Sequence, residues 1–203
     1  RLSLVGSEMC IRDRVLPGAF IPLMESSDLI LDLTRNLMRR VCVEAGPTIG
    51  RRPDLKISFN FAGKLFSEPT IVKDVRNIFV NSPIKFSQVV LEVTERDPIE
   101  NFTETRQIIA ALQGLGVRIA IDDVGTGNSG LYYMLKLGVD IIKIDKIFVD
   151  AIGTDRNSTT IVETLVDLAR NMRMDVVAEG VENFEQVMHL SLIHISEPTR
   201  LRR

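Results

Sequence analysis

The spacing of apolar residues switches repeatedly between two periods. In SSDLILDLTRNLMRRVCVEAG (26–46), Leu29, Leu33, Leu37 and Val41 recur at helical spacing and Gly46 marks a stop. LKISFNFA (55–62) predicts a strand, and TIVKDVRNIFVNS (70–82) a helix. QVVLEVTE (88–95) is β-branched and predicts a second strand. FTETRQIIAALQGLG (102–116) predicts a helix, with Thr103 as its candidate cap and glycines closing it. Then come a strand over VRIAID (117–122), a short helix over SGLYYMLKLG (129–138) and a strand over VDIIKID (139–145). A helix over NSTTIVETLVDLARNMR (157–173), a strand over MDVVAEG (174–180) and the start of a helix over NFEQVMHL (183–190) complete the series.

Strict alternation of strand and helix implies a parallel sheet covered by helices. Two α/β architectures satisfy it: an open doubly wound sheet, or a (β/α)8 TIM-like barrel, here incomplete because only five strands are legible. No glycine-rich phosphate loop follows the first strand, which weakens a nucleotide-cofactor version of the open sheet.

Residues two apart on a strand share a face. Taking the last candidates on one face gives Asn60 with Ser58, Glu92 with Thr94, Asp122 after Ala120, Lys143 after Ile141, and Glu179 after Val177. Phe59, Phe61, Ile119, Ile121, Ile142 and Val176 fall on the other face, toward the helices. Each strand thus carries an amide, an acid or a lysine near its carboxyl end, where parallel strands are usually apolar throughout. Burying such groups without partners costs about 2–7 kcal/mol each, so they must meet one another or a ligand. Carboxylates beside an amide are ligands for hard cations. Asp122 and Asp123 are adjacent, so strand alternation would point them apart. If the strand ends there, with Gly125 and Gly127 freeing the backbone, both carboxylates can turn to one mouth. Together with Glu92 and Asn60 they would hold one or two divalent ions. Lys143 reads either as a functional cation or as the counter-ion of the acids. Glu95 and Glu182 read as a loop acid and a helix-start acid, Met172 and Met174 as core, and Tyr132 and Tyr133 as packing residues.

Composition narrows the chemistry. The chain has 203 residues, 45% hydrophobic and 26% charged, with a net charge of −2. No basic face stands out, so polymeric nucleic acid is not an expected partner. No apolar run approaches the roughly 20 residues of a membrane span. Cys10 and Cys42 do not make a disulfide framework, which fits a reducing compartment. With only His189 and His194, catalysis rests on carboxylates, amides and lysine.

The two ends differ from the middle. SLIHISEPTR (191–200) back-translates to TCTCTTATACACATCTCCGAGCCCACGAGA, and the reverse complement of that string, read one base in, encodes LVGSEMCIR (4–12). The string resembles a transposase-based sequencing adapter. Residues 1–14 and 191–203 are therefore expected to be adapter-like artefacts, leaving 15–190 as the informative domain.

Within 15–190, FIPLMESSDLI, FNFA, LEVTE, IDDVGTG, VDIIKID followed by FV, and VAEGVE stand in the order and spacing of EAL domains, and the chain resembles that family of cyclic di-GMP phosphodiesterases. The resemblance implies a barrel that cleaves cyclic di-GMP to linear pGpG with Mg2+ or Mn2+. It implies Asn60, Glu92, Asp122 and Asp123 as metal ligands and Lys143 at the hydrolytic water and phosphate. Glu179 would act as general base or water-orienting acid with Glu182 nearby, and Glu95 would brace the 123–130 loop. Metals lower the pKa of a bound water and neutralise the phosphodiester, and a lysine adds electrostatic stabilisation. Val124, Asn128 and Ala62 depart from the family's usual residues without deleting a ligand. The namesake Glu-Ala-Leu segment is expected upstream of residue 15 and a further strand beyond 190, so activity is expected of the parent protein and not of this fragment. The alternative function is a cyclic di-GMP sensor that does not cut; the intact ligand set favours the enzyme. The expected setting is a cytoplasmic domain, in a parent open to homodimerisation, to fusion with a sensor or membrane-anchored region, and to tethering at the inner membrane.

Overall fold

The computed structural model describes residues 16–25, 27–94, 99, 101–124, 130–154 and 156–194. Two helices, α1 (Pro17–Glu25) and α2 (Leu29–Glu44), are followed by the short α3 (Gly46–Gly50) and the first strand, β1 (Ile57–Asn60). Then β and α alternate: α4 (Ile71–Phe79), β2 (Val89–Thr94), α5 (Phe102–Gly114), β3 (Arg118–Val124), α6 (Gly130–Leu137) and β4 (Ile141–Ile144). The short α7 (Lys146–Asp150) precedes α8 (Arg156–Asn171), β5 (Asp175–Ala178) and α9 (Phe184–His194). The predicted strands and long helices are all present. The structure adds α1, α3 and α7, and α9 continues past the expected boundary at Leu190 through His194. Residues 1–14 lie outside the described residues.

All strand pairs are parallel and the order is β1-β2-β3-β4-β5. Each crossover advances one strand in the same direction. Right-handed crossovers then place every helix on one face, as in a barrel wall. A doubly wound sheet would reverse direction at a switch point, and this order does not. The architecture is an arc of a TIM-like barrel with five strands among the described residues, where about eight close a barrel.

The two faces are chemically different. Phe59, Leu91, Ile119, Ile121, Ile142 and Ile144 point to the helices and join the main core with Met38, Val75, Leu112 and Val162. On the opposite face Val90, Ala120 and Ile141 form a small separate apolar layer. Two residues further along β1 to β4, the next layer is Asn60, Glu92, Asp122 and Lys143, as the two-residue period requires. Tyr133 and Met174 are buried in the core and Met172 packs against it, whereas Tyr132 is half-exposed.

One cap differs from expectation. Asn101, not Thr103, caps α5: its side chain accepts from the Glu104 amide at 3.2 Å. Asn101 has extended backbone, the conformation a cap needs, and Thr103 already lies inside the first turn.

Candidate active site

β3 does not end at Asp122. It runs to Val124, and the register against β4 shifts between Ile121 and Val124. Ile121 pairs with Ile142 and Val124 with Ile144, so Asp122 and Asp123 together oppose Lys143. This is a β-bulge, and Asp123 sits in it with φ +56°, a left-handed conformation that aspartate tolerates better than most residues. The bulge corrects the expectation of a strand ending on glycine-freed backbone. The extra residue keeps both carboxylates on the inner side and returns Val124, fully buried, to the core. Gly125 and Gly127 lie outside the described residues, as does Glu95.

Carboxylate oxygens of Asp122, Asp123 and Glu179 all come within 4.8 Å of one another. Lys143 enters beside them from β4. Its Nζ donates to Glu92 Oε2 and Asp122 Oδ1, each at 2.9 Å, and lies 2.7 Å from Glu179 Oε1. Acids on β2, β3 and the end of β5 thus converge on one ammonium. Lys143, Glu92 and Asp122 side chains are largely buried and Glu179 is more open, so the cluster faces outward at the Glu179 side. Asn60 is the register partner of Glu92 at the edge of the same layer, and it is exposed. Glu182 is not in this cluster: its carboxylate takes Lys146 at 2.6 Å.

Burial is the largest single influence on Lys143 and by itself would lower its pKa. Hydrogen bonds to Glu179, Asp122 and Glu92 outweigh it and hold the group above the ordinary lysine value. Lys143 is therefore an ammonium at neutral pH. It can offset negative charge, and it cannot take a proton from water.

The turn after β5 is tightly drawn against α7. Gly180 has φ +66°, and a Cβ there would lie 2.5–2.9 Å from the Lys146 side chain. Non-glycine residues pay roughly 1–2 kcal/mol for this backbone conformation before any clash. Gly180→Ala is expected to lower Tm by roughly 2–8 °C, given about 2–4 °C per kcal/mol for chains of this size, which a thermal melt will show. An unchanged Tm would mean that the turn is looser than described.

Sequence reasoning missed Lys146, Gly180 and Gln186, which hold this turn. Asn183 and Gln186 stand three apart before an apolar run, the spacing of a capping box, and that signal was readable.

The EAL domain family profile matches residues 11–196. The chain belongs to the EAL domain family. It is 39% identical over 183 residues to the probable cyclic di-GMP phosphodiesterase PdeG of Escherichia coli K12, covering 90% of this chain and 36% of that protein. It is 37% identical to the cyclic di-GMP phosphodiesterase PdeL of the same organism, covering 90% of this chain and 52% of PdeL. The EAL domain described here thus spans between about a third and a half of these relatives. Among solved structures, the PaMucR phosphodiesterase in complex with c-di-GMP superposes with a TM-score of 0.77 at 32% identity, over 88% of this chain and 73% of that one. The EAL enzyme Bd1971 bound to cAMP and cyclic di-GMP gives 0.79 at 27% identity, over 88% of this chain and 50% of that one. Among the described residues, no helix of this EAL domain is long and apolar enough to cross a membrane.

Proposed function

We propose that this EAL domain hydrolyses cyclic di-GMP to linear pGpG in the longer protein to which its five strands belong. The observation that carries the reading is the convergence of Asp122, Asp123 and Glu179 beside the Lys143 side chain. Three close carboxylates form an all-oxygen donor set, which fits a hard divalent cation such as Mg2+ or Mn2+. Asp122 and Asp123 would hold the cation with Asn60 and Glu92, and Glu179 lies within reach of the same place. When bound, the cation would make a coordinated water more acidic and offset phosphate charge.

The chain's own groups divide the remaining work. Lys143 stabilises the negative charge that grows on the phosphoryl oxygens. Glu179, the most open of the three acids around Lys143, orients the attacking water and accepts its proton. The water oxygen bonds to phosphorus and one ring P–O ester bond breaks; the departing ribose oxygen takes up a proton from solvent and becomes a hydroxyl, leaving a terminal phosphate on linear pGpG. Glu182, paired with Lys146, supports the turn that carries Glu179.

The test is incubation of the longer protein with cyclic di-GMP and Mg2+ or Mn2+, with product separation. We expect pGpG to accumulate and to stop with chelator. Binding without any cleavage would identify a sensor and overturn the proposal.

A further inference from the structure

We propose that Gln186 is a positioning residue that fixes Glu179 relative to Lys143 by latching the β5–α9 turn onto α7. The inference rests on the reading of the site given above.

Lys143 and Glu179 sit on neighbouring strand ends, and each runs at once into a turn. After Lys143 the chain enters α7 through Asp145, whose side chain caps the helix by accepting from the Ile147 amide at 2.7 Å. After Glu179 it turns at Gly180 and enters α9. The backbone ladder between the two ends stops at the Glu179 amide, which donates to Ile144 O at 3.0 Å. Beyond it, the distance between the two functional groups depends on side chains.

Among the described residues, two side-chain links join the turns. Lys146 bonds to Glu182, but this pair is substantially exposed, and such pairs contribute little. The other link is Gln186, which is 3% exposed and uses both ends of its amide. Its Oε1 accepts from the Glu182 and Asn183 amides at 2.8 and 3.1 Å. Its Nε2 donates to Val149 O, in α7, at 3.2 Å. Its own amide donates to Asn183 Oδ1 at 2.9 Å, closing a reciprocal cap on α9. A cap alone needs the Oε1 contacts. The reach of Nε2 to α7 has no use in capping, and it ties the turn bearing Glu179 to the helix that follows Lys143.

The two halves of the amide can be separated. Gln186→Glu keeps two acceptors for the cap and removes the donor to Val149; Gln186→Leu removes both and brings no charge into the turn. Gln88→Leu is the control for destabilisation alone. Gln88 is also buried, and its Nε2 donates to Ile49, Arg52 and Leu55 carbonyls around the entry to β1.

The measurement is Mn2+ affinity of the 203-residue chain by calorimetry, with Tm recorded for each variant. Glu179 belongs to the three-carboxylate donor set, so a residue that positions it acts on the cation as an outer-shell partner does, and loss of such a partner typically weakens metal affinity about 10–100-fold. We expect that loss for both Gln186 variants and wild-type affinity for Gln88→Leu despite its lower Tm. Unchanged affinity in Gln186→Glu, or in Gln186→Leu should the first not fold, overturns the inference and leaves Gln186 a cap. Equal weakening in Gln88→Leu also overturns it. A wild-type chain that does not bind Mn2+ overturns the reading of the site, and the inference with it.

Discussion

Replacing Lys143 with methionine is expected to remove about 3 kcal/mol of stability in metal-free buffer, because taking one partner from a buried ion cluster leaves the others uncompensated. Here the ammonium holds Glu92, Asp122 and Glu179 together within 2.7–2.9 Å. Their mutual repulsion is otherwise unscreened. At roughly 2–4 °C per kcal/mol, Tm should fall by about 6–12 °C. The variant should regain much of this on adding Mn2+, since a cation at about 100 times its Kd adds about 2.7 kcal/mol to the form that binds it. Hydrolysis should remain lost, because the added cation restores charge balance and not the positioned donor on phosphate.

The pH dependence of the wild type follows from the same contacts. The folded-state pKa of Lys143 lies above its ordinary value. The fold therefore binds that proton more tightly than the unfolded chain does. The stabilisation is complete below about pH 10.4, the ordinary lysine value, and is lost as pH rises through the higher folded value. Alkaline melts should show a larger loss in the wild type than in Lys143→Met, where Lys146, raised by its hydrogen bonds to Glu182 and Asp150, still contributes. A Lys143→Met chain as stable as the wild type at neutral pH would mean that the carboxylates are solvated rather than tied to lysine.

Asp122→Asn is expected to lower cyclic di-GMP hydrolysis by about 100-fold or more, with partial recovery at raised Mg2+ or Mn2+. The substitution keeps the shape and removes one negative charge from the donor set. Cation affinity then falls, and a bound water becomes less acidic. It also weakens one of the three contacts to Lys143, so a modest loss of Tm should accompany it. Recovery with metal separates a lost ligand from a lost catalytic group. Wild-type rates at low metal would return Asp122 to a structural role.

The fold was legible because parallel strands and amphipathic helices have different periods. Phe59, Ile119, Ile121 and Ile142 fell on the helix side and Asn60, Glu92, Asp122 and Lys143 on the other by alternation alone, and the buried and inner layers follow that division. The bulge at Asp122–Asp123 was not legible. Nothing in IDDVGTG distinguishes a strand that ends from one that takes an extra residue, because the choice depends on the register of β4. The latch was not legible either. Gln186 could be read as the capping partner of Asn183, and nothing local signals that its Nε2 donates to a carbonyl 37 residues earlier. Glu182, expected near Glu179 from its place in VAEGVE, carries an ion pair with Lys146 that its sequence position does not reveal. Lys143 could be read as functional or as a counter-ion; the structure shows one ammonium bound to Glu92, Asp122 and Glu179, and its action on phosphate belongs to the proposed function.

The most direct test of the account is a titration of Mn2+ against the initial rate of pGpG formation from cyclic di-GMP, for the longer protein and its Asp122→Asn and Lys143→Met variants. The account predicts saturation at low Mn2+ for the wild type, a shifted and partly recovered curve for Asp122→Asn, and a flat curve near zero for Lys143→Met at every concentration. Recovery of Lys143→Met by metal to the wild-type rate would contradict it, because the lysine would then be no more than a counter-ion that a second cation replaces.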